Sequence, residues 1–250
     1  MPIKRPQLVN KEIYHIVIRA IESLKLFRDE KDYLRMIHDL FEFNDEDPVL
    51  STYREHLKKD NPARTFLAGL GQRIIEYPER KKRKLLVEIL AFCLMSNHVH
   101  LLVRQLKEGG ISKFMRKIGA GYGLYYNQKY KRKGHLFQGR YGIIHIENQE
   151  QLKTIFVYIH TNPVALITPN WKEKGIIVSD LKKIIEFLEK YRWSSYLDYL
   201  EKKNFPSLTS REFLAKIMGG VGGCREFVNG WLQFKKELYD PLILKKVYIE

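Results

Sequence analysis

The sequence predicts an α+β fold: a ferredoxin-like, split βαβ antiparallel sheet with helices on one face, plus a helical insertion and a helical C-terminal extension. Three observations carry that expectation. Up to residue 164, segments of strand and helix character follow in the order strand, helix, strand, strand, helix, strand, helix. Two apolar runs, 85–95 and 98–104, are separated only by Ser96-Asn97, the signature of a hairpin. A polar stretch at 49–84 interrupts this order, and helical patterns dominate after Pro169. The expected division is therefore a core at 1–165, with 49–84 inserted in it, and a helical extension at 166–250.

The elements follow from residue patterning. Tyr14-His15-Ile16-Val17-Ile18-Arg19 is rich in β-branched and aromatic residues and reads as the first strand. Tyr33, Leu34, Ile37, Leu40 and Phe41 recur at helical spacing, and the run Asn44 to Pro48 breaks the pattern. Within 49–84, Leu57, Phe66, Leu67, Leu70, Ile74 and Ile75 suggest short helices, and a basic run spans Arg80 to Lys84. That run is as readily a solvated face as a phosphate contact. Gly109-Gly110 opens a helix over 111–129 whose pattern is interrupted at Gly119 to Gly123. Small residues there allow close backbone packing or approach of a ligand, and no dinucleotide fingerprint is present. Gly142 to Ile146 is a further strand. Asn148 and Gln151 form a capping-box start for a helix that buries Leu152, Ile155, Phe156 and Ile159 and ends at Pro163. Thr209 and Glu212 match a second capping box.

Composition narrows the function classes. Lys and Arg number 44 against 29 for Asp and Glu, a net charge of +15, which favours a polyanionic partner, nucleic acid ahead of an anionic membrane surface. No apolar run reaches the roughly 18 residues a spanning helix needs, and no signal-peptide pattern opens the chain, so a cytoplasmic, membrane-free protein is expected. Two cysteines, Cys93 and Cys224, exclude a disulfide framework.

The chemistry centres on His98 and His100. Residues two apart on a strand share a face, so both imidazoles would emerge together from an otherwise apolar sheet, as paired metal ligands or as hydrogen-bonded strand histidines. Tyr158 and Asn162 stand at i, i+4 and would project from one side of their helix. Brought together, the phenol, the amide and the two imidazoles make a three-ligand metal site beside a nucleophile. A phenol with a pKa of about 10 needs activation, and surrounding cations are expected to lower that value. The ligand set suits Mg²⁺ or Mn²⁺. Lys129, Lys131, Arg132, Lys133 and Arg140, interleaved with Tyr130 and Phe137, suit phosphate contact and base stacking. Tyr122, Tyr125, Tyr126, Tyr130 and Tyr141 are expected as core or stacking residues, His160 on the far side of its helix, and Trp193 as a packing anchor.

Leu94-Met95-Ser96-Asn97-His98-Val99-His100-Leu101-Leu102 resembles the HUH motif of single-tyrosine, IS200-like transposases. Gly134 to Tyr141, Tyr158 to Val164 and Tyr191 to Tyr196 resemble segments of the REP-associated tyrosine transposase branch, so that the likeness covers roughly residues 10 to 200. The resemblance implies metal-dependent cleavage and joining of single-stranded DNA near hairpins through a 5′-phosphotyrosine intermediate. It implies His98, His100 and Asn162 as metal ligands and Tyr158 as nucleophile. A replication-initiator or relaxase-like nickase would use the same chemistry, and a nucleic-acid-binding protein without cleavage is the competitor from another class. A homodimer is compatible with either.

Overall fold

The computed structural model describes residues 5–47, 83–176 and 180–233. The expected helical insertion at 49–84 lies almost wholly outside them. Four strands form one antiparallel sheet: β1 (Ile13–Arg19), β2 (Val87–Met95), β3 (His98–Gln105) and β4 (Gly142–Ile146). Their order is β2-β3-β1-β4, the split βαβ arrangement expected.

Helices α1 (Glu30–Glu42) and α2 (Gly110–Lys129) lie on the first face. Ile16, Ile18, Phe92, Leu94, Val99, Leu101 and Val103 point towards them and form one core with Met36, Leu40, Phe114 and Ile118. The alternate residues, among them Cys93, Met95 and Leu102, face the other way. The sequence pattern does not announce what covers that second face. It is α3 (Gln149–Thr161) together with the C-terminal helices, which bury Ile155, Phe156, Ile159, Tyr196 and Leu214 in a second core. Because both faces are covered, the strands read as nearly continuous apolar runs rather than as alternating ones.

After α3 the chain tightens into a 3₁₀ turn, Asn162–Leu166, with Pro163 at its start. The short helices α4 (Trp171–Lys174), α5 (Leu181–Leu188) and α6 (Tyr196–Tyr199) follow, then α7 (Glu212–Met218) and α8 (Gly220–Gln233). The extension is fastened to the sheet's outer edge. Leu94 N–H donates to Trp193 O at 2.8 Å and Ser195 N–H to Phe92 O at 3.0 Å, so the free side of β2 is capped rather than left open. The Tyr191 and Tyr199 hydroxyls reinforce the same edge by donating to Leu94 O and Leu90 O. Trp193 stacks on Tyr33 with ring centroids 4.4 Å apart, the packing anchor expected of it.

Two local expectations are corrected. The glycine run at 119–123 does not interrupt α2, which is continuous. A Cβ on Gly121 would lie 2.2 Å from the Phe43 ring, so this glycine serves close packing, while Gly119 and Gly123 face open space. The capping box at Thr209 does not form. The Ser210 N–H is engaged by Ile89 O at 2.8 Å, and the helix starts only at Glu212, with Arg211 as its N-cap.

Candidate active site

The sheet register brings His98 and His100 to the second face beneath α3. On β1, Val17 pairs with His100 and Arg19 with His98, so Arg19 and His15 share that face. His15 pairs with Leu102 and is therefore the diagonal neighbour of His100. The diagonal is closed by a hydrogen bond, His15 Nε2 to His100 Nδ1 at 3.0 Å, with the two rings parallel within 6°. His98 holds its Nδ1 2.7 Å from Asn97 Oδ1. An amide oxygen only accepts, so Nδ1 carries the hydrogen and His98 Nε2 keeps its lone pair.

Tyr158 descends from α3 onto this cluster. Its ring meets His100 edge-on at 5.4 Å and His15 at 5.9 Å, and the residue is 6% exposed. Asn162 follows one turn later, but its Nδ2 donates back to Tyr158 O at 2.9 Å, capping the end of the helix. Its Oδ1 accepts from Lys172 Nζ at 3.2 Å, and that ammonium also sits 4.2 Å from the centre of the Tyr158 ring. Nothing in the sequence pattern marks His15, Arg19 or Lys172 as site residues.

Burial dominates the electrostatics. It depresses His15 to about 3 and His98 to about 4, with Arg19 and Lys172 adding to the effect, and holds His100 well below its ordinary range. All three imidazoles are neutral at neutral pH, the form that donates a lone pair to a metal. The expectation that nearby cations lower the Tyr158 pKa is overturned. Desolvation raises it, outweighing Arg19 and a hydrogen bond from Asn162 that pull the other way.

The donor set fits a divalent cation on the two histidines. His100 Nε2 is buried and has no hydrogen-bond partner among the described residues. Each histidine's other nitrogen is engaged, the arrangement that orients ligating imidazoles. Asn162 Oδ1, the expected third donor, is instead occupied by the Lys172 ammonium. Among the described residues, no group of three or more His, Cys, Asp and Glu side chains gathers in ligating array.

The other tyrosines are structural, as expected. Tyr122 and Tyr126 donate to Leu26 O and Lys25 O, and Tyr125 and Tyr130 both donate to Asp32. His160 is buried on the far side of α3 with Nε2 2.8 Å from Ser195 Oγ, and His145 pairs with Glu12.

The basic segment is divided in its roles. Lys129 is bound to Asp29 at 2.8 Å and Asp32 at 2.6 Å and braces α2 against the start of α1. Arg132 closes its own loop through Asn127 Oδ1 and Gly134 O. Lys131, Lys133 and Arg140 are exposed. Arg140 lines a groove with Arg5, Arg116, Phe137 and Tyr141, and the apolar floor of this groove, Ile18 and Met115, belongs to the first face of the sheet. Arg5 lies over the Tyr141 ring at 4.2 Å.

Fold and site together define a class: a four-stranded split βαβ sheet that presents an imidazole pair beneath a tyrosine-bearing helix. The family model described as "Transposase IS200 like" matches residues 59–162, the stretch that contains His98, His100, Tyr158 and Asn162. Over that stretch the chain is similar to IS200-like transposases, in line with the resemblance its motifs carry. Among solved structures, the chain is similar to a REP-associated tyrosine transposase bound to a REP hairpin. The identity is 14% and the TM-score 0.46, over 85% of this chain and 93% of that one. No curated protein matches the chain.

Proposed function

We propose that this protein is a transposase-like enzyme that cleaves and rejoins single-stranded DNA at hairpin-forming sequences, with Tyr158 as its nucleophile. The observation that carries the reading is the packing of the Tyr158 ring against His100, whose buried Nε2 has no hydrogen-bond partner among the described residues. The family match over residues 59–162 and the net charge of +15 support a DNA substrate.

In the proposed reaction Tyr158 Oη attacks the scissile phosphorus and loses its proton. The bond from phosphorus to the 3′ oxygen breaks, that oxygen leaves as a 3′ hydroxyl after taking up a proton, and the 5′ phosphate stays on the tyrosine. The phosphotyrosyl bond conserves the energy of the cleaved one, so a second 3′ hydroxyl can reverse the step and join strands. His98 and His100 would hold Mg²⁺ or Mn²⁺, with Asn162 joining them once Lys172 releases its Oδ1. When bound, such an ion draws charge from the phosphate oxygens. Arg19 and Lys172 supply positive charge beside the phenol. Exposed Lys131, Lys133 and Arg140 are candidates for holding flanking DNA through its phosphates, with Phe137 as a stacking surface.

The test is incubation of labelled hairpin oligonucleotides with Mn²⁺ or Mg²⁺, wild type beside Tyr158→Phe, on a denaturing protein gel. A metal-dependent labelled adduct in the wild type alone is expected. The near-complete burial of Tyr158 favours one rival, a DNA-binding protein that does not cleave. Hairpin binding without any adduct would establish that rival.

A further inference from the structure

We propose that His15 is a positioning residue for His100: its Nε2 fixes which nitrogen of His100 carries the hydrogen and so leaves His100 Nε2 free to take a divalent cation. This inference rests on the reading of His98 and His100 as metal ligands.

His15 and His100 share one hydrogen bond at 3.0 Å. Each neutral ring has one N–H and one bare nitrogen, so only one of them can donate in that bond. If His15 donated, His100 Nε2 would carry a buried hydrogen that meets no acceptor among the described residues. If His100 donates, its Nε2 holds a bare lone pair, and a cation satisfies it. The cost of an unsatisfied buried donor then falls on His15 Nδ1, which is also without a partner among the described residues.

The geometry makes the pairing specific. His15 is fully buried, and the two rings stack with centroids 5.2 Å apart and an interplanar angle of 6°. Its reach to His100 is set by the antiparallel register of β1 on β3, so the imidazole is held by two central strands rather than by a loop. His98 receives the equivalent service from Asn97 Oδ1 at 2.7 Å. Both histidines are thereby held with Nδ1 engaged and Nε2 available, and two different neighbours achieve this. Partners of this kind typically change metal affinity by about 10- to 100-fold when removed.

The experiment uses the full chain and Mn²⁺ alone, without DNA. Calorimetric titration compares wild type, His15→Phe and His15→Gln. Phenylalanine keeps a flat ring against His100 but offers no nitrogen, and glutamine offers an amide acceptor. The expected result is Mn²⁺ binding weakened by about 10- to 100-fold in His15→Phe and partly recovered in His15→Gln. Equal affinity in wild type and His15→Phe overturns the proposal while leaving the metal site standing. No Mn²⁺ binding by wild type, with His98→Ala indistinguishable from it, removes the metal reading and this inference with it. Should both variants fail to fold, the imidazole ¹⁵N spectrum of metal-free wild type decides the matter. His100 protonated on Nδ1 supports the proposal, and His100 protonated on Nε2 overturns it.

Discussion

Lys172 holds its ammonium 4.2 Å from the centre of the Tyr158 ring while donating to Asn162 Oδ1 at 3.2 Å. One cation therefore touches both the proposed nucleophile and the proposed third ligand. Burial raises the Tyr158 pKa, so the phenol has to be deprotonated against its surroundings as it attacks, and a nearby positive charge stabilises the oxygen that results. Lys172→Met keeps the chain length and removes the charge. Single-turnover cleavage of a hairpin substrate should fall by about 100-fold, the usual scale for removing one group that stabilises a developing anion. An unchanged rate would leave Lys172 with a structural role only, its hydrogen bond to Asn162.

DNA affinity should separate the basic residues that the sequence groups together. Arg140 is exposed beside Arg5 and Arg116, whereas Lys129 is tied to Asp29 and Asp32. Arg140→Ala is expected to weaken hairpin binding at every salt concentration and to reduce the salt slope by about one counterion. Lys129→Met should leave that slope unchanged and lower the melting temperature instead, because it strips the cation from a carboxylate buried at the start of α1. Fluorescence anisotropy across a salt series, with a thermal melt of each variant, reads both.

The core sheet and its helices were legible because their signals are local. Period-two and period-3.6 patterns span whole elements, and the hairpin at Ser96-Asn97 fixes β2 against β3. His98 and His100 were legible for the same reason, since alternation alone puts them on one face. His15 lies on a strand that alternation also describes, but its contact with His100 depends on β1 lying beside β3 and on a diagonal across that pair. Lys172 arrives only because the chain turns back after Pro163. From sequence Lys129 reads as available for DNA, because its partners, Asp29 and Asp32, stand 100 and 97 residues away. The lowered pKa expected for Tyr158 failed on burial, which cannot be read before the second face of the sheet is known to be covered.

Glycines within α2 should respond in opposite directions. Gly123 sits in the helix interior with open space where a Cβ would go, so Gly123→Ala is expected to stabilise by about 1 kcal/mol through helix propensity. At Gly110 the added Cβ would lie 2.4 Å from the backbone oxygen of Leu86, which also accepts from Leu106 N–H. Gly110→Ala should therefore cost about 1–3 kcal/mol, the usual penalty of overpacking. Urea denaturation of the two variants gives both signs in one series.

The pH dependence of folding offers a test at His160, whose imidazole is engaged by Ser195 on the opposite side of α3 from the histidine pair. Burial lowers its pKa in the folded protein to about 3, against an unperturbed value of 6.5. Between those values the unfolded chain binds the proton and the folded one does not, so protonation favours unfolding. Its contribution is fully present above about pH 6.5 and is lost as pH falls towards 3. The slope for one such histidine is at most about 1.4 kcal/mol per pH unit. His160→Gln keeps a polar atom for Ser195 and cannot titrate in this range, so its stability should fall less steeply below pH 6 than that of wild type. His15 and His98 are depressed in the same direction and keep part of the slope in the variant. Urea midpoints measured from pH 7.5 down to 4.5 for both proteins check this, and parallel curves would mean that His160 takes up its proton without unfolding the chain.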